Sequence, residues 1–316
     1  MTALREIDSF EEYLNVVQEV MDQKDETTSD SDKQEEEGTK RIYFRGQRKP
    51  VGEGYLLRPS VGRYDYFANL KSFERNEKER EVLEVFRNHL VTHVQHLPQN
   101  DWEALAIAQH HSLPTRFMDW TTNPLVALYF AVRSTAERGD GKIVDSAVYV
   151  LTSEPRRYCD WVRPKFDPTP VTDSETTPAD EASAYDEFGV DDPETDPAGP
   201  TTLEEADGGI ALVGDEKLLA EASISSPFDI TENVIYDPPH VSPRIRAQDS
   251  VLLACAQPLK PLEESDYLEI IIKQTAHTEI RKRLDQYGVF DKQLFPDLEG
   301  IAKWLKFRVF ETGQKC

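Results

Sequence analysis

Asp167 to Asp215 contains fifteen acidic residues and no lysine or arginine, a net charge of −15. The rest of that stretch is rich in Pro, Thr and Ala. Such a segment buries too little apolar surface to offset the entropy of ordering it, so its composition predicts disorder. Loop-closure entropy rises only with the logarithm of length, and a compact domain accommodates an insert of this kind. The fold must therefore be made from what lies on either side. A second acidic stretch, Asp22 to Gly38, holds eight acids and two lysines, net −6. Together the two carry −21 of the formal −23, which leaves about −2 on the other 250 residues. Evenly spread acid would repel nucleic acid. It could also mark a high-salt source, but a whole surface adapted to salt should be acidic outside these stretches too. The nearly neutral remainder leaves a small anionic ligand open.

Further classes fall away quickly. Cys159, Cys255 and Cys316 form no Cys-x-x-Cys pair, against a disulfide scaffold and against a thiolate zinc site. The longest apolar run, Pro124 to Val132, is far short of the ~20 residues of a membrane span. The opening MTALREIDSF lacks the basic-then-apolar order of a signal peptide, so a cytoplasmic protein is expected. There is no phosphate-loop, dinucleotide-binding or nucleophile-elbow motif. His89, His93 and His96 fall at i, i+4 and i+7, but Leu90 and Val94 belong to the same apolar stripe. No metal site is therefore assigned to them.

Periodicity divides the chain into an N-terminal helix over 1–21, an acidic disordered linker over 22–40, and one domain over 41–310 carrying the insert 167–215. Phe10, Tyr13, Leu14, Val17 and Met21 repeat at helical spacing. Arg41 to Phe44 reads as a strand, Glu74 to Leu97 as a long helix, and Asn100 and Asp101 as the cap of another. Asn123 followed by Pro124 is an N-cap and a first-turn proline. Ser146 to Leu151, Asn233 to Tyr236, Ser250 to Cys255 and Tyr267 to Ile272 read as strands. Thr275 to Gln286, ended by Gly288, and Asp297 to Lys306 read as helices. The expected fold is α+β, a single mixed domain with a short-stranded sheet flanked by helices.

Four constellations carry chemistry. Arg45, directly after an apolar strand, needs a carboxylate, backbone carbonyls or an anionic ligand, because an unpaired buried charge costs about 3–5 kcal/mol. A structural salt bridge would serve equally. Gly46 permits a sharp turn or a close approach, and Gln47 follows it. Gln109, His110, His111, Thr115, Arg116, Asp119, Trp120, Thr121 and Asn123 crowd a polar loop between two apolar helices. There the free N–H groups of the second helix favour an anion. Arg244 and Gln248 precede a strand. Asp297 and Glu299 open the last helix, where an N-cap and a dipole-favoured acid are the plain reading.

At these residues the sequence resembles the FRG domain family, named for an aromatic-Arg-Gly motif, here Phe44-Arg45-Gly46. The resemblance continues through Leu57-Arg58-Pro59 and Asp101-Trp102, and is densest in AQHHSLPTRFMDWTTNPLVALYFAV. It returns in RIRAQ and in LDQYGVFDKQLFPDLEGIAKWLK, so it spans most of Arg41 to Leu305 apart from the insert. Ser112 stands where the pattern has glycine, and the insert is an addition to it.

Two functions are compatible with these residues. The first is a binding module for a nucleotide or other anionic ligand, with a role in defence or stress. Arg45, Arg58, Arg63, Arg116 and Arg244 would hold the anion, and Trp120 and Tyr129 would stack. Gly46, Gln47, Gln109, Asn123 and Gln248 complete the expected ligand-binding set. The second is an ADP-ribosyltransferase-like enzyme, whose residue order this chain follows loosely. Arg45 would bind the diphosphate of NAD, Thr121 or His110 the nicotinamide ribose, and Tyr129 the nicotinamide ring. Glu299 or Asp119 would be the catalytic acid. NAD is a cofactor only in this second reading. Neither needs a membrane or double-stranded DNA, and the acidic insert offers a surface for a protein partner.

Overall fold

The computed structural model describes residues 5–27, 41–94, 97–159, 226–238 and 243–313. The acidic insert 167–215 and most of the acidic linker lie outside them. The first helix, α1 (Phe10–Thr27), runs six residues past the expected end at Met21, into the stretch read as linker.

Among the described residues eight strands form one mixed sheet: β1 (Arg5–Ile7), β2 (Phe44–Gln47), β3 (Phe117–Thr121), β4 (Ser146–Leu151), β5 (Arg156–Arg157), β6 (Val234–Tyr236), β7 (Ser250–Ala254) and β8 (Tyr267–Ile272). Their order is β1-β8-β4-β2-β3-β7-β6-β5. The end pairs β1/β8 and β5/β6 are parallel and the pairings between are antiparallel. The mixed domain expected from the sequence is therefore present, as a sheet flanked by helices.

One face is covered by helices. α1, α4 (Pro124–Val132) and α6 (His277–Gln286) pack on Phe44, Val148, Val150, Ile270 and Ile272. α2 (Ser72–Leu90) and α3 (Asp101–His110) cover Phe117, Val234, Tyr236, Leu252 and Ala254 on the other half. α4 can lie flat on β2 because residue 46 is glycine. A β-carbon there would sit 1.9 Å from the Ala127 carbonyl oxygen. The opposite face is covered by irregular chain, with Leu57, and Val51 and Leu262 beside it, packing over Tyr43, Met118, Trp120, Tyr149 and Leu253. Val51 N–H is fixed there by the Tyr149 hydroxyl at 2.9 Å and Glu269 Oε1 at 3.2 Å.

The expected caps form. Asn100 Oδ1 accepts from Glu103 N at 2.9 Å, and Asn123 Oδ1 accepts from Leu125 N at 3.0 Å, with Pro124 in the first turn. Gly288 takes φ +82° beyond α6, as a C′ residue should. Three expectations change. The early strand is 44–47 rather than 41–44, set by its ladder with β4 from Phe44↔Val150 to Gln47↔Ala147. α2 ends at Leu90 instead of Leu97, so His93 lies beyond the regular helix and His96 lies outside the described residues. The stretch expected as a polar loop after His110 contains a strand, β3, in the middle of the sheet. Among the described residues no helix is long and apolar enough to cross a membrane.

Candidate functional site

β2 and β3 are neighbours, yet Phe44↔Thr121 is the pair that joins them. Strand alternation sends Phe44 and Gly46 to the helix-covered face and Arg45 and Gln47 to the loop-covered face. From there the Arg45 guanidinium reaches back to donate to the main-chain carbonyl of Asp119. Burial lowers the Arg45 pKa, Asp119 opposes that shift, and Arg63 adds to it.

Several polar atoms near this point have no partner. Arg45 Nε, Arg58 Nε, Trp120 Nε1 and both amide atoms of Gln47 are buried without a hydrogen bond among the described residues. Gln47 is 4 % exposed and Trp120 2 %. Each unsatisfied buried polar group costs about 1–3 kcal/mol. Arg63 completes the basic rim: it donates to the Arg58 carbonyl at 3.1 Å through Nη2 and lies 4.5 Å over the Tyr55 ring. Burial opposes ionisation of the Tyr55 phenol, but the Arg63 hydrogen bond and the charges of Arg63, Arg45 and Arg48 outweigh it and lower its pKa. Cys255 lies within reach of both Arg45 and Arg116, but burial pushes its thiol up to about 12, so it stays protonated. Tyr55 is the residue that sequence reading missed. It sits between Gly54 and Leu56 in an unremarked loop, and an aromatic flanked by arginines on both sides was the available signal.

The helix-covered face holds a different group. The Asp119 carboxylate accepts from Gln109 Nε2 at 3.0 Å, and Gln109 Oε1 accepts from the Thr115 hydroxyl at 2.7 Å. His110 ends α3 beside them. Its pKa is lowered, first by burial and then by the charges of Arg244 and His111, while Asp119 opposes the shift. The imidazole is thus neutral at neutral pH.

Most of the remaining predicted residues have structural partners. Arg116 is 1 % exposed, with Nε and Nη2 on the Glu79 carboxylate at 3.1 and 2.6 Å, Nη2 also on Asn76 Oδ1 and Nη1 on the Pro227 carbonyl. It therefore does not serve the anion pocket expected of it from the sequence. Thr121 donates to the Gln248 carbonyl at 2.8 Å and accepts from Asn123 N at 3.0 Å. Asn123 caps α4, and Gln248 Nε2 donates to the Leu294 carbonyl at 2.9 Å. Asp297 accepts from Gly300 N at 2.7 Å, the plain N-cap. Glu299 has a side chain 75 % exposed and pairs with Lys303 at 2.6 Å. Tyr129 is 2 % exposed, inside the helix-side core, and Trp120 packs in the core of the other face. Arg45 and Tyr129 consequently lie on opposite sides of the sheet, and the ADP-ribosyltransferase constellation is not assembled.

Residues 40–140, which hold Arg45 and most of the residues around it, match the FRG domain. Those residues carry an FRG domain. The matched region takes in β2, the chain over the loop-covered face, α2, α3, β3 and α4, and so contains Arg45, Gln47, Arg58, His110, Asp119 and Trp120. Arg244, Gln248 and Glu299 lie beyond the matched residues. No curated protein and no solved structure matches the chain.

Proposed function

We propose that the protein is a binding module for a phosphate-bearing anionic ligand of the nucleotide class, held on the loop-covered face at Arg45. The observation that carries this reading is the set of buried, unpartnered donors at Arg45, Arg58, Gln47 and Trp120 beside the Arg63–Tyr55 stack. Donors left in this state are destabilising unless something completes them. An oxyanion accepts from guanidinium and amide groups at once, and arginine suits phosphate through its planar, forked donors. Tyr55, already paired with one guanidinium plane, offers an aromatic surface next to the charge. A module of this kind would report a phosphorylated metabolite, the role expected of a stress or defence sensor.

Thermal unfolding with a panel of nucleotides and nucleotide sugars tests the reading. A ligand at a hundred times its Kd adds roughly 2.7 kcal/mol to stability. That corresponds to a rise in Tm of about 5–10 °C for a domain of this size. The rise should vanish in Arg45→Ala and shrink in Gln47→Leu. A panel that shifts nothing, or a shift that survives Arg45→Ala, overturns it.

A further inference from the structure

Arg133, just past α4, and Arg244, in α5 (Pro243–Ala247), converge on one aromatic ring. The Arg133 guanidinium lies 5.0 Å from the Phe295 ring centroid and the Arg244 guanidinium 4.5 Å from it. Phe295 is held in place. The neighbouring Leu294 carbonyl accepts from buried Gln248, Phe130 packs edge-on at 6.1 Å, and Gly300 leaves no room for a β-carbon against the Phe295 carbonyl. Neither guanidinium has a hydrogen bond or an ion pair among the described residues. The acids around them are engaged elsewhere: Asp297 caps the helix after it, Glu299 pairs with Lys303, and Asp119 accepts from Gln109. Two like charges have thus been brought together on one platform. Asp119, Asp297 and Glu299 lie within electrostatic range of Arg244, but among the described residues none forms an ion pair with it. An anion between the two guanidiniums would relieve their repulsion.

We propose that Arg133 and Arg244 form a second anion site, on the helix-covered face, that takes a phosphoryl group between two guanidiniums stacked on Phe295, with His110 at its edge. Two forked donors match the charge and the several oxygens of a phosphate dianion better than a single carboxylate. Neutral His110, within electrostatic reach of Arg244, can share a hydrogen bond with a phosphate oxygen or ester group without adding a competing charge. This site is separated by the sheet from the one at Arg45. Asp119 touches both sides, with its carbonyl oxygen on Arg45 and its carboxylate on the helix-covered face.

Titration calorimetry of the full chain with inorganic phosphate and with glycerol phosphate tests this site independently of the first. Free phosphate and a phosphate monoester are the two sources of the group, and the tighter of the two identifies which one it serves. In an Arg45→Ala background, which removes the first site, binding of one equivalent should persist. The further changes Arg133→Gln and Arg244→Gln should each weaken it at least about tenfold, as expected for losing a hydrogen bond between charged groups. Arg244→Lys, which keeps the charge but loses the fork and the stack, should also weaken it. Circular dichroism and an unchanged Tm without phosphate would show that the variants fold. Binding that is absent in the Arg45→Ala background, or that is indifferent to both glutamine changes, overturns the second site. If Arg45→Ala leaves the number of bound equivalents unchanged, the first reading is overturned and this one stands.

Discussion

Arg116 and Arg45 are both largely withdrawn from water and differ in what receives their donors. Arg116 faces a carboxylate, a side-chain amide and a carbonyl, so its charge is neutralised inside the protein. Arg45 has one main-chain carbonyl and a buried Nε with nothing to bond. The consequences of truncation should be opposite. Arg116→Ala leaves the Glu79 carboxylate buried and alone, and should lower stability by about 3–5 kcal/mol. Urea unfolding will read this as a fall in midpoint at constant slope. Arg45→Ala removes a desolvated charge and should change stability far less. Histidine supplies a pH test at the same scale. An unfolded chain binds a proton at the ordinary imidazole pKa of about 6.5, whereas folded His110 resists protonation to lower pH because of burial and Arg244. The unfolded state therefore holds more protons in that window. Stability is fully present above it and is lost as the pH falls through it. His110→Gln should flatten the dependence of Tm on pH below neutrality. An unchanged slope would assign the effect to His277, whose pKa burial also lowers.

Elements differed in how well their sequence announced them. β4 and β8 begin and end where the apolar runs SAVYVL and YLEIII do, because turn-forming residues bound both. The helix starts at Asn100, Asn123 and Asp297 were legible for a local reason: a cap is a bond between a side chain and a backbone N–H two or three residues on. β3 was not legible. Phe117, Met118, Trp120 and Thr121 are buried on both faces, so the strand lacks alternation, and Asp119 in its middle reads as loop. The site suffered from the same gap. Chain order placed Arg45, Tyr129 and Arg244 in one pocket, but only the register of β2 against β4 decides which side of the sheet each serves. Gly46 marks a close contact between two elements, β2 and α4. Gly46→Ala would drive a β-carbon into the α4 backbone, where no flexible side chain can yield. Its cost should exceed the ~1–3 kcal/mol typical of overpacking. The expected outcome is loss of soluble folded protein, or a domain whose near-ultraviolet dichroism has collapsed.

At the scale of the whole molecule, charge and architecture are kept apart. The acidic insert falls between β5 and β6, which lie side by side with Arg156 opposite Val234, so the chain leaves and re-enters at one end of the sheet. The two basic groups lie on chain outside it. The far end of the sheet is closed by β1, a strand of three residues whose register against β8 runs from Arg5↔Ile270 to Ile7↔Ile272. Lys273 fastens it, with its N–H on the Ile7 carbonyl at 3.0 Å and its ammonium on Glu6 at 2.6 Å. β8 is twice as long and ends in three consecutive isoleucines, a strong template for pairing with another chain. β1 is thus a guard strand. It occupies the sticky border of the sheet and is itself too short to recruit a partner. Removing residues through Ile7 should convert the protein from a well-behaved species into one that associates edge to edge. Sedimentation velocity would show this as growth in mass with concentration, and a truncated chain sedimenting like the full one would mean that β8 needs no guard.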